Sequence, residues 1–468
     1  WVITIVFLAV MAASLLLMTD EMVEGEGKRC LRWVKTDLTP LFFLFFAFLI
    51  LQTIPLPQGL LVMISPEAKI AGEMSLPPPS VLNPARLQGH WYALAPYTYP
   101  VRMSLIRWVV YGLFFFGMIR CLTSRRRIET AIVVFLGLCV FDALYGIVQT
   151  YSGSNRAWWF KLSGSDLPSK GVSGTYLNYN HFAGLMDMGI CLAIGYAAAL
   201  GSSGGERHGG SHRKPSFRRR FLEFFSEDGK GMRRFLVIVG GGVMGLGLIL
   251  SASRGGLIAM AGALLLMGLL FYVRRRERRK GRLILVLFGI SLVYSLYAGL
   301  DHTVGRFEAM DQEMEARLTR AVKAISLFED YPATGAGVGN FRHAYGRYQD
   351  TRDRLFYVDY AHNDYAQFLA EAGIAGAVLL IVGIGWYAVP TFRRWRERSS
   401  PFAVCLGIAP FGALFAMAIH SLSDYNLHRP ANVLALLTVV AIGYAAVHLE
   451  HRHHHDRLAY PERMIPLR

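Results

Sequence analysis

The sequence predicts an all-α, polytopic membrane helix bundle. Three observations carry that reading. Hydrophobic residues make up 53% of the chain and the mean hydropathy is +0.34. Apolar runs long enough to cross the roughly 30 Å hydrocarbon core of a bilayer as helices recur from one end of the chain to the other. Alternating ten-residue segments of the kind that build a membrane barrel are absent, which leaves helices as the form that satisfies its own backbone in lipid.

Eleven spans follow, at about 1–18, 38–54, 103–120, 129–150, 182–200, 235–251, 256–273, 283–300, 373–391, 401–419 and 432–448. The chain opens at Trp1 inside an apolar run, so one further span is expected upstream, for twelve in the full protein. The whole of 1–468 reads as one integral-membrane domain, with a basic cytoplasmic loop at 201–234 and a large, partly helical outward loop at 301–372. Charge sets that orientation. The loops at 19–37, 120–128, 201–234, 274–282, 392–400 and 449–468 hold about 32 of the 49 Lys+Arg, and short basic loops stay on the cytoplasmic side. Runs such as Arg274 to Lys280 are then topology anchors. The net charge of +16 needs no nucleic-acid partner, because the positive-inside distribution accounts for it; membrane lipids are the partner that the spans imply.

None of the five cysteines falls in an outward loop, so no disulfide framework is indicated. No Cys/His set has metal-ligand spacing, and neither a metal nor a cofactor is expected. The aromatic patch at 221–225 with its basic neighbours reads as a short interfacial helix. Trp91, Tyr92, Tyr97 and Tyr99 in the Pro-rich loop 55–102 read as interface anchors.

The outward loop 301–372 concentrates the chemistry. Residues 314–330 have helical periodicity and stop at Asp330-Tyr331-Pro332, because a residue before proline is biased out of the helical region. Arg317 and Arg320 lie three apart and share a face of that helix. Two guanidiniums there can fork onto phosphate oxygens. The run Gly335-Ala336-Gly337-Val338-Gly339 follows a helix rather than a strand, so it reads as a tight turn against neighbouring backbone and not as a nucleotide loop. His362 is the candidate base, with Asn363 beside it and either Asp364 or Asp359 to orient it.

Outside the loop, Ser251-Ala252-Ser253-Arg254-Gly255-Gly256 separates two spans by almost nothing. An arginine on that outward edge runs against the positive-inside trend, so it is either a snorkelling side chain or one aimed at an anion. Asn178 and Asn180 open a span, where such residues also serve as caps. The eleven residues from His420 to Pro430, including Asp424, are unusually polar for a link between spans and can line a cavity. Arg107, Asp142 and Asp187 are isolated charges within spans.

Taken in order, these motifs resemble the O-antigen ligase/O-antigen polymerase superfamily of bacterial membrane glycosyltransferases. The resemblance covers roughly 170–450. It rests on Gly174 to His181, on Ser253-Arg254-Gly255-Gly256, and on Arg317 fifteen residues before Pro332. It continues through Gly335 to Phe341 and His362-Asn363 to Gly373-Ile374-Ala375-Gly376. Ala321 and Leu379 depart from the pattern, the first standing where members often carry Trp.

The resemblance implies metal-independent, inverting transfer from an undecaprenyl-diphosphate-linked saccharide to an acceptor hydroxyl in the periplasm, by an enzyme of the bacterial inner membrane. Arg254 and Arg317, with Arg320, would bind the diphosphate, and His362 would activate the acceptor. Asn363, Asp364, Asn178, Asn180 and Asp424 would support them. The acceptor would be lipid A–core for a ligase or a lipid-linked glycan for a polymerase, with a protein hydroxyl a third option. The competing class is a transporter for lipid-linked saccharide, which would place its polar residues midway through the spans.

Overall fold

The computed structural model describes residues 39–74, 91–154, 156–157, 160–161, 171–202, 230–301, 307–349 and 358–459. Ten of the eleven predicted spans coincide with apolar helices among them. These are α1 (Thr39–Leu51), α4 (Thr98–Cys121), α5 (Arg125–Tyr151), α6 (Tyr179–Ser202), α7 (Lys230–Leu250), α8 (Arg254–Val273), α9 (Arg278–Asp301), α11 (Asp364–Glu397), the broken pair α12 (Pro401–Leu406) and α13 (Ala409–His420), and α14 (Pro430–Ala459). Nine of these stretches are long and apolar enough to cross a membrane, the α12–α13 pair counting as one, and α1 is a shorter apolar helix. The chain is therefore an all-α polytopic bundle. The predicted span at 1–18 and the interfacial helix at 221–225 lie outside the described residues.

The core of the bundle is built from the helices richest in small residues. α6 packs on α7, α12 and α13, and α8 packs on α9 and α13. Ala183, Met186, Cys191, Ala259, Ala263, Met267, Ala409, Ala413 and Ala416 are fully enclosed there. Small side chains let backbones approach where lipid supplies no hydrophobic drive between helices. The α7 and α9 flanks instead leave Leu236, Ile238, Val286 and Ile290 exposed, as a lipid-facing surface does.

Arg274, at the end of α8, holds a second helix end. Its guanidinium donates to the carbonyls of Trp395 at 2.9 Å and Arg398 at 2.5 Å and lies over the Trp395 ring. It thereby caps the orphan carbonyls that end α11.

The opposite end carries an accessory layer with a core of its own. Between α1 and α4 lie α2 (Gln58–Ile64), α3 (Pro66–Met74) and a two-stranded ribbon, β1 (Pro55–Leu56) with β2 (Tyr92–Ala93), paired antiparallel. α10 (Phe307–Asp330) packs on the start of α11. Leu61, Leu94, Ala324, Leu327, Phe341, Tyr345 and Ala361 are buried together in this layer. Each large apolar side chain enclosed here contributes about 1.5–3 kcal/mol, which holds the loop helix as a fixed part of the bundle.

α11 is two helices joined at Gly373, which has φ 61° and ψ −167°. The first, Asp364 to Ala372, stands in the accessory layer; the second is the span. The break lets Ile374 and Ala375 donate to the carbonyls of Pro332 and Ala333 at 2.9 and 3.0 Å, which locks the glycine-rich turn onto the span.

Candidate functional site

The link from His420 to Pro430 is the hub of the site. Asp424 is 1% exposed, and its Oδ1 lies 3.4 Å from His362 Nδ1. Arg317 Nη1 donates to the Ser423 carbonyl at 3.1 Å and lies 4.0 Å from Asp424 Oδ2. Burial disfavours the charge on Asp424, yet His362, His181 and Arg317 around it hold its carboxyl well below the usual carboxylate range. A charged Asp424 facing Nδ1 of His362 favours a proton on that nitrogen and leaves Nε2 as the acceptor.

His362 reaches this position by a strained backbone. Its φ is 55°, and Ala252, two residues before Arg254, has φ 56°. Among the described residues these are the two non-glycine positions with positive φ, and both lie in segments that carry predicted site residues. Left-handed backbone outside glycine persists only where its surroundings enforce it, and it gathers at functional sites.

The sequence offered Asp364 or Asp359 as the group that orients His362. The carboxylate that faces His362 in the structure is Asp424. Asp364 belongs to a different histidine: its Oδ1 lies 2.5 Å from His428 Nδ1, and its Oδ2 accepts from Ser421 Oγ and the Leu427 amide. The second nitrogen of His428 faces Glu371 Oε2 at 3.9 Å. Burial works against a proton on His428, but the two carboxylates outweigh it and push its pKa up to about 10. It is a fixed imidazolium and not a base. Asp359 pairs on the surface with Arg342 at 3.4 Å.

Asn363 caps α11, accepting from the Ala366 amide at 2.9 Å and donating to the Leu422 carbonyl at 3.0 Å. Asn178 accepts from the Asn180 amide, and Asn180 accepts from Ser253 Oγ at 2.7 Å, so the pair ties the start of α6 to the turn before Arg254. His181 sits in the same segment but is locked. Arg429 Nε donates to its Nε2 at 3.0 Å, which leaves the proton on Nδ1, facing Asn426 Oδ1 at 3.1 Å.

Arg254 is the first residue of α8. Gly255 and Gly256 are not needed for the turn, which Ala252 makes; they permit close approach. A Cβ on Gly255 would stand 2.7 Å from Ser423 Oγ and one on Gly256 2.7 Å from Ala183. Arg254 is thus set beside the link, and its Nη2 is buried with no hydrogen-bond partner. Arg320 lies one turn from Arg317 and is likewise half-buried. The structure therefore gathers His362, Asp424, Arg317 and Arg254 around one link. Asn363 and Asp364 hydrogen-bond to the link itself, and Asn178 and Asn180 tie the start of α6 to the turn before Arg254.

The glycine-rich turn is an anion nest whose anion is the protein's own. Gly335, Gly337 and Gly339 have φ of 72°, 101° and 90°. Glu371 accepts from the amides of Gly339 at 2.8 Å and Phe341 at 3.1 Å. Buried Gln52 bridges the carbonyls of Thr334 and Glu371 and accepts from the Val338 amide at 3.1 Å. Gln52, Glu371, His428, Tyr425 and Arg429 were not singled out individually from the sequence. The polar density of 420–430 was the signal for three of them, and a glutamine closing an apolar run was the signal for Gln52.

Fold and site together define a multi-pass helical membrane protein with a histidine, a buried carboxylate and several arginines gathered at the end of the bundle opposite Arg274. Residues 239–381 match the protein-family model described as O-antigen ligase, so that stretch of the chain is similar to that family. That match supports glycosyl transfer of the O-antigen ligase kind in general terms. No curated protein matches the chain.

Proposed function

We propose that the chain transfers a saccharide from an undecaprenyl-diphosphate donor to the hydroxyl of an acceptor, with lipid A–core as the ligase acceptor, on the periplasmic side of the bacterial inner membrane. The observation that supports the reading best is His362 turned by a left-handed backbone onto buried, charged Asp424, with Arg317 on the same link.

In this reading Nε2 of His362 takes the proton as the acceptor oxygen forms its bond to the sugar carbon. The bond from that carbon to the diphosphate oxygen breaks, and its electron pair leaves with the diphosphate. One in-line displacement inverts the carbon. Asp424 stabilises the imidazolium as it forms. Arg317 and Arg254, with Arg320 beside them, hold the charge that grows on the leaving group, where preorganised guanidiniums act most strongly. The positive-inside distribution of Lys and Arg supports the outward orientation. No step consumes a nucleotide, because cleavage of the lipid diphosphate linkage drives transfer.

Surface glycan from a deletion strain tests the assignment. Long polymer stranded on undecaprenyl diphosphate is the expected outcome for a ligase. Cores capped by single repeats would move the chain to the polymerase class, and normal glycan on both counts would remove it from this chemistry.

A further inference from the structure

One face of α11 changes character toward the end of the helix. Val382, Gly385, Trp386, Val389, Phe392, Arg393 and Arg396 recur at helical spacing and so share that face. It is apolar as far as Phe392 and basic beyond it. Val382, Trp386 and Val389 are exposed, and a Cβ on Gly385 would meet nothing within 4 Å. From Val382 to Phe392 the helix rises about 15 Å, half of the roughly 30 Å hydrocarbon core. An apolar stripe of that length spans one leaflet and brings the guanidiniums that follow it to headgroup level.

The stripe runs into a cavity. Ala388, Val389, Phe392, Arg393 and Arg396 of α11 and Phe411 of α13 line an open space of about 360 Å³. Phe392 meets Phe411 edge to face, with ring centres 5.9 Å apart, and joins the two helices beside it. Neither arginine has a partner inside the protein. Among the described residues, Arg393 and Arg396 make no ion pair and no side-chain hydrogen bond, and Glu397, the next residue along, pairs with neither. Nor are they needed to cap the helix. Arg274 already donates to the carbonyls of Trp395, Arg396 and Arg398. Two guanidiniums three residues apart can fork onto phosphate oxygens. Beside an apolar cavity, they are complementary to an anion that carries a hydrocarbon chain.

We propose that this cavity binds an anionic phospholipid, with its phosphodiester on Arg393 and Arg396 and one acyl chain laid along Val389, Trp386 and Val382. A zwitterionic lipid offers the same phosphate but brings an ammonium that the guanidiniums repel, so the site discriminates by net charge. It lies at the opposite end of α11 from His362 and does not depend on how the glycan chemistry is read.

Native mass spectrometry tests it, on the full chain in detergent titrated with dioleoyl phosphatidylglycerol or dioleoyl phosphatidylethanolamine. The first phosphatidylglycerol should bind about tenfold more tightly than the first phosphatidylethanolamine. Arg393→Gln combined with Arg396→Gln should bring the two lipids within about twofold of each other. Arg393→Lys combined with Arg396→Lys should keep part of the preference, since the charge persists without the fork. Val389→Trp keeps both arginines and fills the cavity, so it should weaken both lipids about fivefold or more. Arg278→Gln combined with Arg279→Gln, a basic pair outside the cavity, should leave the preference intact. The melting temperature of each variant without added lipid separates lost binding from lost fold, and the Lys and Trp variants decide the matter if the Gln pair unfolds. The site is overturned if phosphatidylglycerol is not preferred, if the preference survives loss of both arginines, or if Val389→Trp leaves both lipids unaffected. It is overturned equally if the Arg278 and Arg279 changes remove the preference as fully, which would mark a general attraction of basic surface for anionic lipid.

Discussion

The glycine-rich turn at 335–339 and the link at 420–430 both pack against the start of α11, and they solve the same problem in opposite ways. The turn satisfies itself. Its amides go to Glu371, to Gln52 and to the carbonyls of Tyr331 and of α11. Any Cβ on Gly335 would stand 2.2 Å from Glu371 backbone. The link is held by longer-range charge instead: Asp424 Oδ2 has no hydrogen-bond partner and faces Arg317 at 4.0 Å, and His420 Nδ1 faces Asp187 Oδ2 at 3.4 Å while its Nε2 is buried without a hydrogen bond. A buried polar group left unpaired is expensive. The difference teaches that glycine content marks where backbone must approach backbone, whereas the link brings titratable and charged side chains from separate elements together.

The contrast breaks most sharply on catalysis. His362→Ala should lower turnover about 10²- to 10⁴-fold in purified protein, the range a positioned base supplies. Asp424→Asn should follow it downward, because the amide no longer stabilises the imidazolium. Near-normal joining of glycan to acceptor by His362→Ala would falsify the base assignment. Arg317→Ala should cost about 10²-fold, the loss seen when one preorganised donor to a developing anion is removed. Arg317→Lys should recover little of it, since a point charge replaces a planar fork.

The turn should fail differently. Glu371→Ala leaves the Gly339 and Phe341 amides without an acceptor and removes one of the two carboxylates that face the His428 imidazolium. Breaking a buried pair in this way costs about 3–5 kcal/mol. Thermal unfolding should show that loss, while the fraction that remains folded keeps its turnover. A large fall in turnover with no loss of thermal stability would make the turn chemical and erase the distinction.

His428 sharpens the same boundary through pH. Its pKa is raised in the folded state to about 10, so the stability it contributes is fully present below the unfolded value, roughly 6.5, and is lost as pH rises through about 10. The difference in melting temperature between the parent and His428→Gln should be largest near pH 6 and vanish above pH 10. A constant difference across that window would mean that packing, and not charge, is what His428 supplies.

The spans were legible because a bilayer imposes one length and one composition on every helix that crosses it. The start of the spanning half of α11 at Gly373 was legible too, since the apolar run begins there, but the helical half before it, Asp364 to Ala372, was not. The partners of the candidate base were not. His362 and Asp364 are two residues apart, so sequence pairs them, but the left-handed turn at His362 and the cap at Asn363 send the two side chains to different partners. The carboxylate that does face His362 comes from 62 residues further along, across a whole helical hairpin. Nothing in local periodicity encodes that contact. It follows from the start of α11 meeting the end of α13, where the Ser421 carbonyl accepts from the Asp364 amide at 3.0 Å and Tyr365 Oη donates to the Ala418 carbonyl at 2.7 Å.

Asp359 gives the smallest expected effect and the cleanest check on that partner. It stands three residues before His362, close enough in sequence to be its orienting acid. In the fold it is half-exposed and paired with half-exposed Arg342 at 3.4 Å. Exposed ion pairs contribute little, because solvent screens them and two long side chains must be ordered to make them. Asp359→Asn should therefore leave turnover within about twofold and thermal stability unchanged within error. If Asp359→Asn instead depressed turnover as far as Asp424→Asn, the acid behind His362 would be the surface residue. The buried carboxylate of the link would then be scaffold, like the glutamate in the glycine turn.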